Sequence, residues 1–269
     1  MPWVTRGLRS GVVTTRYPRR PDGYPGPWVG SVRPRTSPPG EVDSGLDLES
    51  LCPTGAIRWE DPVVTVDRGR CILCMRCVRE RPDIFVADGE VEVAVLHPSA
   101  LVSPGPGSDD ERALATLRTD LLRRTRALRR SVHIRHVDAG SDGTEEWEIA
   151  ALTNPVYDVQ RLGIFFTASP RHADILLVTG AGSGAMTGPL VETYEAMPSP
   201  KVVVAAGTDA LSGGMHAGSY ATTGGVTASL PVDVLVPGSP PSPFSLLHGI
   251  LLAVGIVADR SGGGKQHEG

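Results

Sequence analysis

Three cysteines stand two residues apart in Arg70-Cys71-Ile72-Leu73-Cys74-Met75-Arg76-Cys77, and a fourth precedes a proline in Cys52-Pro53-Thr54-Gly55-Ala56-Ile57. These two stretches hold every cysteine of the 269-residue chain. Thiolates at C-x2-C-x2-C spacing wrap one corner of a cube of iron and sulfide, and a remote cysteine before proline supplies the last ligand. The chemistry implied is one 4Fe-4S cluster held by Cys52, Cys71, Cys74 and Cys77. On the count alone, structural zinc and a disulfide pair stay open. Zinc favours two C-x2-C knuckles, and disulfides belong to oxidising compartments.

A second stretch with chemical potential is Gly180-Ala181-Gly182-Ser183-Gly184-Ala185, which satisfies G-x-G-x-x-[GA] after an apolar run and has Asp209 beyond the next one. That pattern can cradle a dinucleotide pyrophosphate. Met186-Thr187-Gly188-Pro189 follows where the binding helix should already be running. A glycine-rich loop that lets backbones pass closely fits the residues as well.

The elements that must position these groups can be read from pattern. Val63-Val64-Thr65-Val66-Asp67 precedes the cysteine triplet as a strand, with Ala56-Ile57-Arg58-Trp59 and Val91-Glu92-Val93-Ala94-Val95 as further strands around it. The flanks fit a bacterial-type ferredoxin hairpin. In two-cluster versions the cysteine before proline serves the other cluster, so a first triplet belongs at positions 42, 45 and 48. Val42, Gly45 and Leu48 stand there, and Arg81 precedes Pro82 where the second triplet's own cysteine would be. One cluster is missing.

Farther on, Ile175-Leu176-Leu177-Val178-Thr179, a helix over residues 189–197, Val202-Val203-Val204-Ala205-Ala206 and Val232-Asp233-Val234-Leu235-Val236 alternate as short apolar strands with helical crossovers. This predicts a parallel sheet covered on both faces. The fold class is α/β: an N-terminal single-cluster ferredoxin-like domain followed by a flavodoxin-like parallel-sheet domain. The expected organisation is an extended docking arm over 1–40 lying on another subunit and the cluster domain over 41–102. A linker and basic amphipathic helix follow over 103–130, then the α/β domain over 131–258 and a flexible tail over 259–269. Residues 244–258 form the most apolar run, too short and too interrupted by Ser245, His248 and Gly249 to span a bilayer, and read as a packed terminal helix.

A formal charge of −4 gives no global reason to expect nucleic acid. The helix over 111–130 carries Arg118, Arg123, Arg124, Arg126, Arg129 and Arg130 without aromatic interleaving, which suits a subunit contact or a solvated face. The arginine-bearing N-terminal stretch has no apolar leader-like segment, and thiolate chemistry points to a reducing cytoplasm.

Several separated blocks carry a resemblance that covers most of the chain. These are His136-Val137-Asp138-Ala139-Gly140-Ser141, Asn154-Pro155-Val156-Tyr157-Asp158, Phe166-Thr167-Ala168-Ser169-Pro170-Arg171-His172-Ala173-Asp174 and Pro237-Gly238-Ser239-Pro240-Pro241. Together with Tyr194-Glu195-Ala196-Met197-Pro198-Ser199-Pro200-Lys201 they resemble the small subunit of membrane-bound, energy-converting NiFe hydrogenases and the quinone-proximal iron-sulfur subunit of complex I. The first hundred residues, including Arg9-Ser10-Gly11-Val12-Val13-Thr14-Thr15-Arg16-Tyr17-Pro18, resemble the ferredoxin-like subunit of the same complexes.

The resemblance implies a fusion of two neighbouring electron-transfer subunits, not catalytic alone. Its implied partners are a hydrogenase- or complex I-like large subunit and a hydrophobic membrane subunit, with attachment to the cytoplasmic face of the membrane through them. It also implies a terminal 4Fe-4S cluster, and there this chain departs. The family's four cysteines fall on Asp142, Glu145, Asp209 and Ser239, which are not soft ligands; oxygen ligands suit magnesium, calcium or manganese. The expected role is an iron-sulfur electron-transfer or accessory subunit without the terminal cluster. A non-redox structural subunit and a dinucleotide-binding reductase built on residues 180–185 are the rival readings. Three outcomes are open for the vacated site: solvent and arginines such as Arg171 fill it, a hard cation occupies it, or the segments have moved apart.

Overall fold

The computed structural model describes residues 2–20, 24, 28–35, 47–60, 62–105, 108–126, 128 and 131–257. In chain order the elements are α1 (Pro2–Ser10), β1 (Ser31–Pro34), β2 (Ile57–Glu60), β3 (Val63–Asp67), α2 (Arg76–Glu80), β4 (Phe85–Asp88), β5 (Val102–Ser103), α3 (Ser108–Thr125), β6 (Val132–Asp138), α4 (Thr144–Ala151), β7 (Ile164–Phe166), β8 (Ile175–Thr179), α5 (Thr187–Glu195), β9 (Val202–Ala206), α6 (Thr208–Ser212), β10 (Val234–Val236) and α7 (Pro243–Ala253). Positions 42 and 45 of the missing first triplet, Arg129, Arg130 and the tail over 259–269 lie outside the described residues.

The larger sheet has strand order β10-β9-β8-β6-β7 and every pairing in it is parallel. β8, β9 and β10 are buried along their whole length, as a sheet covered on two faces requires. Side chains alternate between the faces: Ile175, Leu177, Val202 and Val204 join a core with α7, Ile149 and Leu121, whereas Leu176, Val178, Val203 and Ala205 join one with Leu190, Met197 and Ala210. α7 is buried at every position.

The smaller half contains two short antiparallel sheets, β1 with β4 and β2-β3-β5, around a core of Val32, Ile57, Val66 and Phe85. The expected strand over 91–95 does not form. Those residues make one bridge, Val95 to Leu235, and Val91, Ala94 and Leu96 are buried in the core of the α/β half. Apolar alternation there serves a strap laid across another layer, not a sheet edge.

Two features of the arm depart from expectation. Residues 2–10 are helical, not extended. Residues 14–17 dock on this chain's own α/β half: Thr15 N donates to the Val156 carbonyl at 2.8 Å, Thr14 Oγ1 to the Pro155 carbonyl at 2.8 Å, and the Tyr17 ring meets Phe244 edge-on at 5.8 Å. The aromatic residue expected to seek another subunit fills a gap beside α7.

Candidate iron-sulfur site and the carboxylate pocket beside it

The turn from β3 to α2 carries the triplet, and its shape is unusual for residues with side chains. Leu73 and Met75 have φ of 53° and 59°, a left-handed conformation that costs roughly 1–2 kcal/mol for a non-glycine residue. Such strain persists where surrounding structure enforces it and gathers at functional sites. The upstream ligand segment is tied to this turn through Thr54, whose hydroxyl donates to the Arg70 carbonyl at 2.6 Å.

All four cysteines line one cavity, with Val32, Leu51, Ile57, Val66, Ile72 and Met75 as apolar wall. Cys74 is the exposed member and the other three are half-buried. Burial above all, then the Cys77, Cys52 and Cys74 sulfurs, push the Cys71 thiol up to about 12 against the hydrogen bond from the Leu73 amide. Burial and the neighbouring sulfurs also raise Cys77. For Cys52 burial acts the same way, but the Thr54 hydroxyl at 3.5 Å and the Ala56 amide at 3.2 Å outweigh it and lower the thiol. Backbone amides aimed at sulfur are what a thiolate ligand needs. Among the described residues no three His, Cys, Asp or Glu side chains converge closely enough for one metal ion.

The cavity abuts the α/β half. Thr208, fully buried at the first position of α6, donates its hydroxyl to the Cys71 carbonyl at 3.0 Å. Asp209 follows it, and the sheet brings two of the other family positions to the same end. Asp142 precedes α4 and accepts from the Thr144 amide and hydroxyl at 3.0 and 2.6 Å. Glu145, 1% exposed on the first turn of α4, accepts from the Thr144 hydroxyl at 3.2 Å. Ser239 is brought near through backbone: the residue before it, Gly238, accepts from Thr208 N at 2.7 Å.

The carboxylates feel one another. Burial first, then the charges of Asp209 and Asp142, push Glu145 up to about 7. Burial and Asp142 raise Asp209 against the pull of His216. The Thr144 hydrogen bonds, with help from His216, hold Asp142 low. The basic group that stands against these carboxyls is His216, whereas Arg171 lies on an exposed turn over residues 170–172.

Thr208 and His216 escaped the sequence reading, as did a buttress in which Ser141 and Thr179 each donate to Glu146 at 2.6 Å while His136 stands 3.0 Å from the Thr179 hydroxyl. His136 and Ser141 lay in a recognised block, but nothing in their spacing named Glu146 as the hub. Three amides of the glycine loop are already committed to this chain's own carbonyls. Ala181, Ser183 and Gly184 spend their amides on the Gly140, Ala139 and Ala221 carbonyls, and a Cβ on Gly180 would stand 2.5 Å from Ser141 N. Close backbone passage explains these glycines.

The family described as NADH ubiquinone oxidoreductase, 20 Kd subunit, matches residues 143–253, and a 4Fe-4S single cluster domain matches residues 64–126. The latter takes in Cys71, Cys74 and Cys77; Cys52 joins them only in space. The chain is 38% identical over 157 residues to formate hydrogenlyase subunit 7 of Escherichia coli (strain K12), covering 58% of this chain and spanning 60% of that relative. It is 42% identical over 129 residues to the probable membrane-bound hydrogenase subunit mbhJ of Pyrococcus furiosus, covering 48% of this chain and 77% of that one. A chain in the structure of the membrane-bound sulfane sulfur reductase, an archaeal respiratory membrane complex, aligns with a TM-score of 0.43 at 31% identity, over 50% of this chain and 77% of its own length. With its parallel sheet, its single-cluster domain and these relatives, the chain belongs to the NADH ubiquinone oxidoreductase 20 Kd subunit family.

Proposed function

We propose that this chain is an iron-sulfur electron-transfer subunit of a membrane-associated complex of the hydrogenase and complex I kind. In this reading it carries one 4Fe-4S cluster on Cys52, Cys71, Cys74 and Cys77 and no terminal cluster. The observation that carries the proposal is the convergence of the four cysteines on one apolar-walled cavity, tied through Thr208 to the helix that carries Asp209. When bound, the cluster supplies one-electron transfer. The chain's part is to aim amides at sulfur, to shield the site with Ile72, Met75 and Leu51, and to hold it against α6 through Thr208.

Beyond Thr208 the usual next site is replaced by Asp142, Glu145, Asp209 and Ser239, whose oxygens do not match the thiolate preference of a soft cluster. Electrons reaching the Cys71 side would stop there or leave by another face. The partners we assign are a large subunit on the α/β half and a hydrophobic subunit beneath it, with the complex on the cytoplasmic face of the membrane. The domain limits proposed above are kept, with 91–101 shared between halves by packing. Names of the relatives support this assignment: one is a formate hydrogenlyase subunit and another a probable membrane-bound hydrogenase subunit.

Anaerobically purified protein should contain about four irons and four labile sulfides per chain, with a brown colour that dithionite bleaches reversibly. Cys74→Ser should remove most of the iron. About eight irons per chain, or zinc in stoichiometric amount, would contradict the ligand assignment, and a cluster inert to dithionite would favour the structural-subunit reading.

A further inference from the structure

α1 has no buried residue, and its two faces differ in kind. Trp3, Val4, Gly7 and Leu8 lie on one side by helical spacing, and Thr5, Arg6, Arg9 and Ser10 on the other. Trp3 is 75% exposed, Leu8 80%, and Val12 just beyond the helix 90%. Nine residues fall short of the roughly 12–15 that hold a helix in water, and Val4, Thr5 and Gly7 are poor formers. The segment therefore needs an outside surface to cover its apolar face. Charge selects that surface: residues 2–20 contain five arginines and no acidic residue.

We propose that α1 lies in the plane of an anionic lipid surface, with Trp3, Val4 and Leu8 in the headgroup–acyl boundary and Arg6 and Arg9 on lipid phosphates. An aromatic and aliphatic face opposite a basic one is the pattern of interfacial helices, and no helix among the described residues is long and apolar enough to cross a membrane. The helix is tethered to a fixed body: residues 14–17 are bonded to the α/β half, and the Tyr24 hydroxyl donates to the Val13 carbonyl at 2.7 Å. This goes beyond the reading above, which attaches the chain to the membrane through partner subunits alone.

The test is co-sedimentation of the full chain with vesicles of three parts phosphatidylcholine to one part phosphatidylglycerol, beside vesicles of phosphatidylcholine alone. Binding should favour the anionic vesicles and fall with salt. It should weaken roughly tenfold in each of W3A and L8A, the effect expected for losing one buried side chain, and also in the charge-reversed pair R6E/R9E. These variants touch no core, so the fold is unaffected. Failure of the wild-type chain to bind, or equal binding by wild type and variants, overturns the proposal. Assembly with partner subunits in detergent that fails in W3A/L8A, with no vesicle binding, assigns the helix to a protein and overturns it too. Iron content is measured separately, so loss of the cluster reading and loss of this one are distinguishable.

Discussion

Glu145 is the residue at which burial of a carboxyl beside other carboxyls has the clearest thermodynamic consequence. Its carboxyl is buried beside Asp209 and Asp142 and rises from 4.5 to about 7. A carboxylate whose folded pKa is raised binds more protons folded than unfolded between those values, so stability falls as pH increases from about 4.5 to about 7 and levels off above. Asp142, held low, works in the opposite sense and only in more acidic solution. Glu145→Gln keeps the shape and removes the titration, and should raise stability at pH 8 by on the order of 2 kcal/mol while leaving it nearly unchanged at pH 4. Urea unfolding of wild type and variant across that range reads the difference directly; parallel curves at all pH values would show that Glu145 does not titrate in this window. Asp142 and Glu145 drew notice because they follow the His136–Ser141 block, and Asp209 because it follows Gly207-Thr208. The approach of His216 did not, because it depends on a turn after α6 that starts beyond Asp209.

At the scale of elements, legibility followed burial. β8, β9 and α7 are nearly uninterrupted apolar runs and were read within a few residues of their ends. β6 went unread, since Val132-His133-Ile134-Arg135-His136-Val137-Asp138 interleaves its buried positions with imidazole and guanidinium. The stretch 91–95 shows the converse: its pattern suits a strand, yet Val91 and Ala94 are buried in the core that α7 joins and the Ala94 amide donates to His248 Nδ1 at 3.2 Å. α7 approaches β10 most tightly of its described contacts where glycine stands at position 249. A Cβ on Gly249 would stand 2.4 Å from Val236 Cγ2 and 3.5 Å from the Ala94 Cβ. In a free helix Gly→Ala would gain close to 1 kcal/mol, but here overpacking reverses the sign. Gly249→Ala should lose about 1–3 kcal/mol in chemical denaturation, and Val236→Ala added to it should recover part of that loss. A stabilised single variant would mean that α7 sits farther from the sheet than described.

For the molecule as a whole, the question is whether the two halves are beads on a linker or one body. The proline- and glycine-rich stretch after Ser103 reads as a boundary, and Gly105 stands in open space. Packing says otherwise. Tyr17, Val91, Ala94 and Leu96 from the first half are buried with α7 and the sheet of the second, Val95 and Leu235 exchange backbone hydrogen bonds at 2.9 and 2.8 Å, and Thr208 holds the Cys71 carbonyl. Burying four such side chains stabilises by roughly 1.5–3 kcal/mol for each large one, and the covalent link adds only the effective concentration of a short tether. Contacts, not the tether, should therefore keep the cysteine cavity in register with α6. A protease site inserted after Gly105 and cut in the folded, iron-loaded chain should leave both fragments co-eluting in gel filtration with the iron retained. Thr208→Val should weaken that association slightly, by about 1 kcal/mol for the lost hydrogen bond, whereas polar substitution of Ala94 and Leu96 should release the cluster-bearing fragment. Separation of the wild-type fragments on cutting would mean that fusion itself, and not the buried strap, sets the distance between the cluster site and the carboxylate pocket.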